Sequence, residues 1–218
     1  MAILPAKRKR DRGGNAAAMN SIIRPLTAAD RHEVARVYAE AFAADEPLWQ
    51  GLLLPSRLHL PYWEMMTRFY FEVDEAVILG VFVDGSLAGV ATGWDDTLSP
   101  PVSQEWLLVL RYWRRMGLKP LSALRRFLLT TMECSKPTRP CLRLYVFGVD
   151  QAHRGAGLGR ALLAAFEEKA LERSFSVVQL ECEEDNPARL VYESCGYTTE
   201  RTFSAIDIQW HVMTKELA

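Results

Sequence analysis

The sequence predicts one α+β (mixed α/β) domain, and three observations carry that prediction. Apolar residues recur at three- and four-residue spacing over residues 28–44 and 158–173, the period of amphipathic helices. Short β-branched and aromatic runs, such as Val77 to Val83 and Leu142 to Val149, read as strands. The two kinds of segment follow the order β-α-α-β-β-insert-β-α-β-α-β-β, which suits a single layered domain.

The first 20 residues precede this pattern. They hold five basic residues (Lys7, Arg8, Lys9, Arg10 and Arg12) against Asp11 and lack apolar periodicity. We read 1–20 as a disordered basic tail and 21–218 as the folded body. The body opens with a strand at Ile22 to Leu26. Thr27 and Asp30 then begin a helix, Thr27 as cap and Asp30 as a first-turn acid. Val34, Ala35, Val37, Tyr38, Ala41 and Phe42 give that helix its buried face, and Pro47 ends it. A second helical stretch lies near Tyr62 to Phe71. Residues 76–94 form a hairpin, because Asp84-Gly85 between apolar strands is a strong turn signal. A helical insert follows at about 99–138, between the third and fourth strands. Leu142 to Val149, Val177 to Cys182, Thr199 to Ile206 and Gln209 to Thr214 are strands. Leu158 to Arg173 is a helix and Pro187 to Ser194 a short one.

Composition excludes several classes. The chain of 218 residues carries 26 basic and 27 acidic residues, and without its tail the body is more acidic still. That balance argues against nucleic acid as a partner. The longest apolar run, near Ala76 to Val83, is too short to span a membrane. The four cysteines (Cys134, Cys141, Cys182 and Cys195) show no C-x-x-C spacing, so no metal site is expected. With no secretory leader recognised, the expected location is the cytoplasm, with reduced thiols.

The chemistry concentrates after the fourth strand. Arg154-Gly-Ala-Gly-Leu-Gly159 leads straight from Val149 and its polar turn into a helix. Glycines let backbone approach a ligand, and a helix start offers free N–H groups to phosphate. Arg154 and Arg160 add positive charge. The run predicts a pyrophosphate cradle rather than a turn used for packing alone. Gly-Lys-Ser/Thr is absent, so it is not a P-loop. The spacing G-x-G-x-G departs from the Rossmann G-x-G-x-x-G. Glu181 nevertheless falls about 20 residues on, where a ribose-binding acid would sit, so an NAD(P)-dependent oxidoreductase stays open as an alternative.

Arg154-x-x-Gly157-x-Gly159 after a strand resembles the Q/R-x-x-G-x-G/A motif of the GNAT superfamily of N-acetyltransferases. Val191-Tyr-Glu-Ser-Cys-Gly-Tyr197 is similar to that family's Y-E-x-x-G-F segment. The insert, with Phe147-Gly-Val149 and Leu180-Glu181, resembles the branch containing puromycin N-acetyltransferase, whose substrate is not carried over. The resemblance covers about residues 21–218. It implies a single domain with a mixed, mostly antiparallel sheet flanked by helices, and acetyl-CoA as co-substrate. It implies that the pantetheine arm lies in a splay between the strands ending at Val149 and Cys182. Backbone at Phe147 and Val149 would bond that arm, with Gly148 permitting the strand distortion. The amides of residues 154–159 (Arg154, Gly155, Ala156, Gly157, Leu158 and Gly159) would hold the pyrophosphate. Asn186 is a further coenzyme contact by resemblance. It precedes Tyr192 by six residues where the family often has seven, so it serves equally as a cap for the helix after Pro187.

Acetyl transfer to an amine needs a base, an oxyanion donor and an acid for the leaving thiolate. Tyr192 occupies the family's acid position, and a tyrosine hydroxyl is protonated at neutral pH. A strand N–H near Val149 is the expected oxyanion donor. Glu181 is the candidate base, its alternative being a strand-end carboxylate paired with an arginine. Glu105, Asp95 and Asp96 are outside candidates for binding a cationic amine, and His153 belongs to the phosphate loop. No cysteine sits in a nucleophile setting, so transfer is direct. Arg111, Arg114, Arg115, Lys119, Arg125 and Arg126, with Trp106 and Trp113, make the insert a basic helical lid over an acceptor pocket that Trp49, Trp63 and Phe69 line or support, unless they are core residues. The expected partner is a small-molecule primary amine, and the C-terminal edge strands predict a homodimer surface. A non-catalytic acyl-CoA-binding module is the alternative from another class.

Overall fold

The computed structural model describes residues 20–43, 56–95, 137, 139–205 and 208–218. The insert's helices and the calls on Pro47, Trp49, Asp96, Glu105, Trp106 and Trp113 lie outside the described residues. Seven strands and four α-helices are present among those described: β1 (Ser21–Pro25), α1 (Arg31–Ala41), α2 (His59–Tyr70), β2 (Val77–Val83), β3 (Ser86–Asp95), β4 (Leu142–Val149), α3 (Leu158–Glu172), β5 (Val177–Glu183), α4 (Ala188–Ser194), β6 (Thr198–Ala205) and β7 (Ile208–Glu216). They make one sheet in the order β1-β2-β3-β4-β5-β7-β6. Only β4 and β5 pair in parallel; every other neighbour is antiparallel. A Rossmann domain needs an open, mostly parallel sheet, so the oxidoreductase alternative loses its scaffold. Among the described residues no helix is long and apolar enough to cross a membrane.

Local sequence explains the joints. Asp84 and Gly85 turn the β2–β3 hairpin at φ 48° and 83°, the left-handed values such a two-residue turn requires. The Asp30 carboxylate accepts from the Thr27 N–H at 2.8 Å and from Arg24 Nη2 at 2.8 Å, so the start of α1 is tied back to β1. A single 3-10 turn, Ala28–Asp30, precedes α1, which is why the helix begins three residues later than its apolar period suggests.

Period-two alternation along the strands gives the sheet two apolar faces. On one face α3 and α4 cover Leu79, Val81, Leu142, Leu144, Val178, Leu180 and Cys182, with Phe166, Tyr192 and Tyr197 filling the layer. On the other, α1 and α2 cover Ile78, Leu87, Val90 and Trp94 with Tyr38, Trp63 and Phe69. Trp63 and Phe69 are thus buried core residues, at 4% and 8% exposure.

Candidate active site

The site begins where two strands part. β4 and β5 pair at Leu142↔Val178, Arg143↔Gln179 and Leu144↔Leu180, and no further. Beyond this point β5 stays paired with β7 to Glu183 while β4 stays paired with β3 to Val149. The two strands therefore enclose a fork whose β4 edge has no strand beside it. The divergence coincides with a bulge: Thr92 pairs with Val146 and Gly93 with Leu144, leaving Tyr145 as the extra residue on β4. Tyr145 is held in that position by stacking on Trp94, with ring centroids 3.9 Å apart. The distortion thus sits at Tyr145, three residues before the glycine expected to permit it. Gly148 has another use: a Cβ there would lie 2.9 Å from the Ala41 Cβ, so the missing side chain lets α1 lie close on β4.

The mouth of the fork is the glycine loop. Asp150 Oδ1 accepts from the Ala152 N–H at 2.9 Å, and His153 Nδ1 lies 3.4 Å from Asp150 Oδ2, which keeps His153 in the loop. Gly155 and Gly157 adopt φ 81° and 83°, and nothing lies within 4 Å of where a Cβ would stand on either. The loop is thus open on its outer side. Gly157 caps α3, so the N–H groups of Leu158, Gly159 and Arg160 have no carbonyl four residues back within the helix. Open N–H groups at a positive helix end suit an anion such as a pyrophosphate. Arg154 has a second employment: Nε donates to the Val149 carbonyl at 3.1 Å and Nη2 to the Ala41 carbonyl at 2.6 Å, pinning the loop to β4 and α1. Arg160 is exposed on the first turn of α3. Gly159 faces Phe147 at ordinary contact distance.

The proposed acid and base lie on opposite faces of the fork. Tyr192 is buried in the α3/α4 layer, its ring 6.0 Å from that of Phe147 and 6.0 Å from that of Tyr197. Burial pushes its hydroxyl well above the ordinary tyrosine value, helped by the neighbouring Cys182, so it stays protonated across the neutral range. Among the described residues the Tyr192 hydroxyl makes no hydrogen bond to protein. Cys182 is itself pushed up to about 12 by burial and then by Glu183, which leaves it a poor nucleophile.

Glu181, between Leu180 and Cys182, points to the α1/α2 face. Its Oε1 accepts from Arg143 Nη2 at 2.6 Å, and both side chains are largely buried. The carboxylate is therefore arginine-paired, the alternative weighed for it from sequence. Arg143 was missed, although a lone arginine between two leucines in an apolar strand signals a buried charge that needs a partner. Asn186 caps α4, its Oδ1 accepting from the Ala188 N–H at 2.9 Å.

Residues 128–197 match the acetyltransferase (GNAT) family. The structure overlays on arylalkylamine N-acetyltransferase 2 of Aedes aegypti with TM-score 0.68 at 18% identity, over 91% of this chain and 100% of that one. It overlays on the ribosomal-protein-S18-alanine N-acetyltransferase of Escherichia coli with TM-score 0.56 at 15% identity, over 91% and 94%. The PaiA N-acetyltransferase of Thermoplasma acidophilum, solved in complex with coenzyme A, gives TM-score 0.57 at 14% identity, over 91% and 99%. No curated protein matches in sequence. The matched segment runs through β4, the glycine loop, α3, β5 and α4, and the sheet as a whole has the fold of these N-acetyltransferases.

Proposed function

We propose that the protein transfers the acetyl group of acetyl-CoA directly to a small-molecule primary amine. The observation that carries this reading is the fork itself, which opens at Leu144, has an anion-suited glycine loop at its mouth and has Tyr192 and Glu181 on opposite faces. A thioester in such a slot presents its carbonyl to one face and its sulfur to the other, the arrangement that direct attack by an amine needs.

In this reading, N–H groups of Gly155 to Arg160 hold the pyrophosphate, and the β4 edge at Phe147 to Val149 aligns the pantetheine arm. Glu181 takes the proton that the ammonium must lose, directly or through water. The new C–N bond forms as an N–H of β4 donates to the developing oxyanion. The C–S bond then breaks as the Tyr192 hydroxyl gives its proton to the departing thiolate, and the second proton that the acylated nitrogen must lose returns to the tyrosine through water. Cys182, buried and protonated, takes no part, which supports direct transfer.

The test is release of free CoA thiol from acetyl-CoA across a panel of small primary amines and peptides. The reading expects amine-dependent release with formation of the N-acetyl product. Hydrolysis independent of amine, or an acetyl group trapped on Cys182 or Cys195, would overturn it.

A further inference from the structure

We infer that Arg143 is a positioning residue for the acetyl acceptor, because its guanidinium bridges the first unpaired residue of each strand at the fork; this inference rests on the acetyl-transfer reading above. The parallel ladder ends at Leu144↔Leu180. The next residues are Tyr145 on β4 and Glu181 on β5. Arg143 touches both: its guanidinium carbon lies 4.7 Å from the Tyr145 ring centroid, and Nη2 donates to Glu181 Oε1 at 2.6 Å. Tyr145 in turn stacks on Trp94, the residue opposite Arg143 on β3. A continuous chain of contacts, Trp94–Tyr145–Arg143–Glu181, therefore crosses three strands at the point where main-chain pairing stops.

The Arg143 side chain is 7% exposed and that of Glu181 16%. Burying an ion pair carries a desolvation cost that hydrophobic replacement would avoid, so such a pair is weak support for stability. Its geometric effect is specific. A planar guanidinium can stack on one ring while donating to a carboxylate, which a lysine ammonium cannot reproduce. The pair holds the Glu181 carboxylate in place and ties the two parting strands together on the face opposite Tyr192. That is the face from which an amine would approach.

A double-mutant cycle tests this, with Arg143→Met, Glu181→Gln and the pair combined. Arg143→Met should lower kcat/KM for the amine at least about tenfold, since misplacement by about 1 Å costs up to about 100-fold. Affinity for CoA, measured by calorimetry, should stay within about twofold because the glycine loop is untouched. The combined variant should be no worse than the poorer single one, as expected for residues acting as one unit. Arg143→Lys should recover only part of the loss, and it carries the same cycle if Arg143→Met does not fold. A variant that lowers Tm but keeps kcat/KM within about twofold, or losses that multiply in the combined variant, would overturn the inference. If the unmutated protein acetylates amines and the Arg143 variants match it, this inference alone fails. If it acetylates none, the underlying reading fails with it.

Discussion

Tyr192 is where a single atom separates the catalytic reading from a packing one. Phenylalanine keeps the ring that meets Phe147 and Tyr197 and removes only the hydroxyl. Tyr192→Phe should therefore fold with an unchanged Tm, bind CoA within about twofold, and lose about 100-fold in turnover, the range of general acid catalysis. Steady-state kinetics beside a calorimetric titration check this; unchanged turnover would remove Tyr192 from the mechanism. Gly157 gives a complementary test at the loop. Its φ of 83° is left-handed, where an L-residue is strained by about 1–2 kcal/mol. Gly157→Ala should lower stability by that amount in urea unfolding. It should weaken CoA binding by more than Tyr192→Phe does, because the N–H groups opening α3 would shift.

Between strands and helices, the joints make their own predictions. The Arg24 hydrogen bond, then the Thr27 N–H, hold the Asp30 carboxyl down at about 2, below the ordinary value for an aspartate. A carboxyl depressed in the folded state stabilises above its unfolded value and loses that contribution as pH falls toward about 2. Asp30→Asn should cost about 1 kcal/mol at neutral pH, the usual worth of a helix-start acceptor. The gap between it and the unmutated protein should narrow on acidification from about pH 4 toward about 2 in urea unfolding; a gap independent of pH would assign the effect elsewhere. Gly93 sits opposite Leu144 at the bulge, and a Cβ there would run into the Arg143 carbonyl and the Phe166 ring. Gly93→Ala should destabilise by about 1–3 kcal/mol, the range for overpacking.

These joints also show why some of the site was legible in sequence. Asp84-Gly85, Thr27 with Asp30, and the glycine run before Leu158 are local signals, each fixed by backbone chemistry within a few residues. The end of the β4–β5 ladder, the bulge at Tyr145 and the Arg143–Glu181 pair depend on register between residues about 35 to 55 positions apart, which no local pattern encodes. Glu181 was recognisable as a strand-end carboxylate, yet its partner had to be seen in space. Gly148 was assigned to distortion because a strand-interior glycine commonly marks one; its packing against Ala41 became visible only with α1 in place.

In the molecule as a whole, two apolar layers hold a seven-stranded sheet whose described strands part between β4 and β5, with the glycine loop at the mouth of the fork and Tyr192 and Glu181 on its two faces. Everything proposed for the protein depends on this fork and its loop binding acetyl-CoA. Thermal unfolding of the protein alone and with acetyl-CoA, CoA, NADH or NADPH tests it most directly. A ligand present at about 100 times its dissociation constant stabilises by about 2.7 kcal/mol, which for a chain of this size raises Tm by several degrees. That rise is expected with acetyl-CoA and CoA, and none with NADH or NADPH. No rise with either CoA ligand, or a rise with the nicotinamide nucleotides instead, would contradict it.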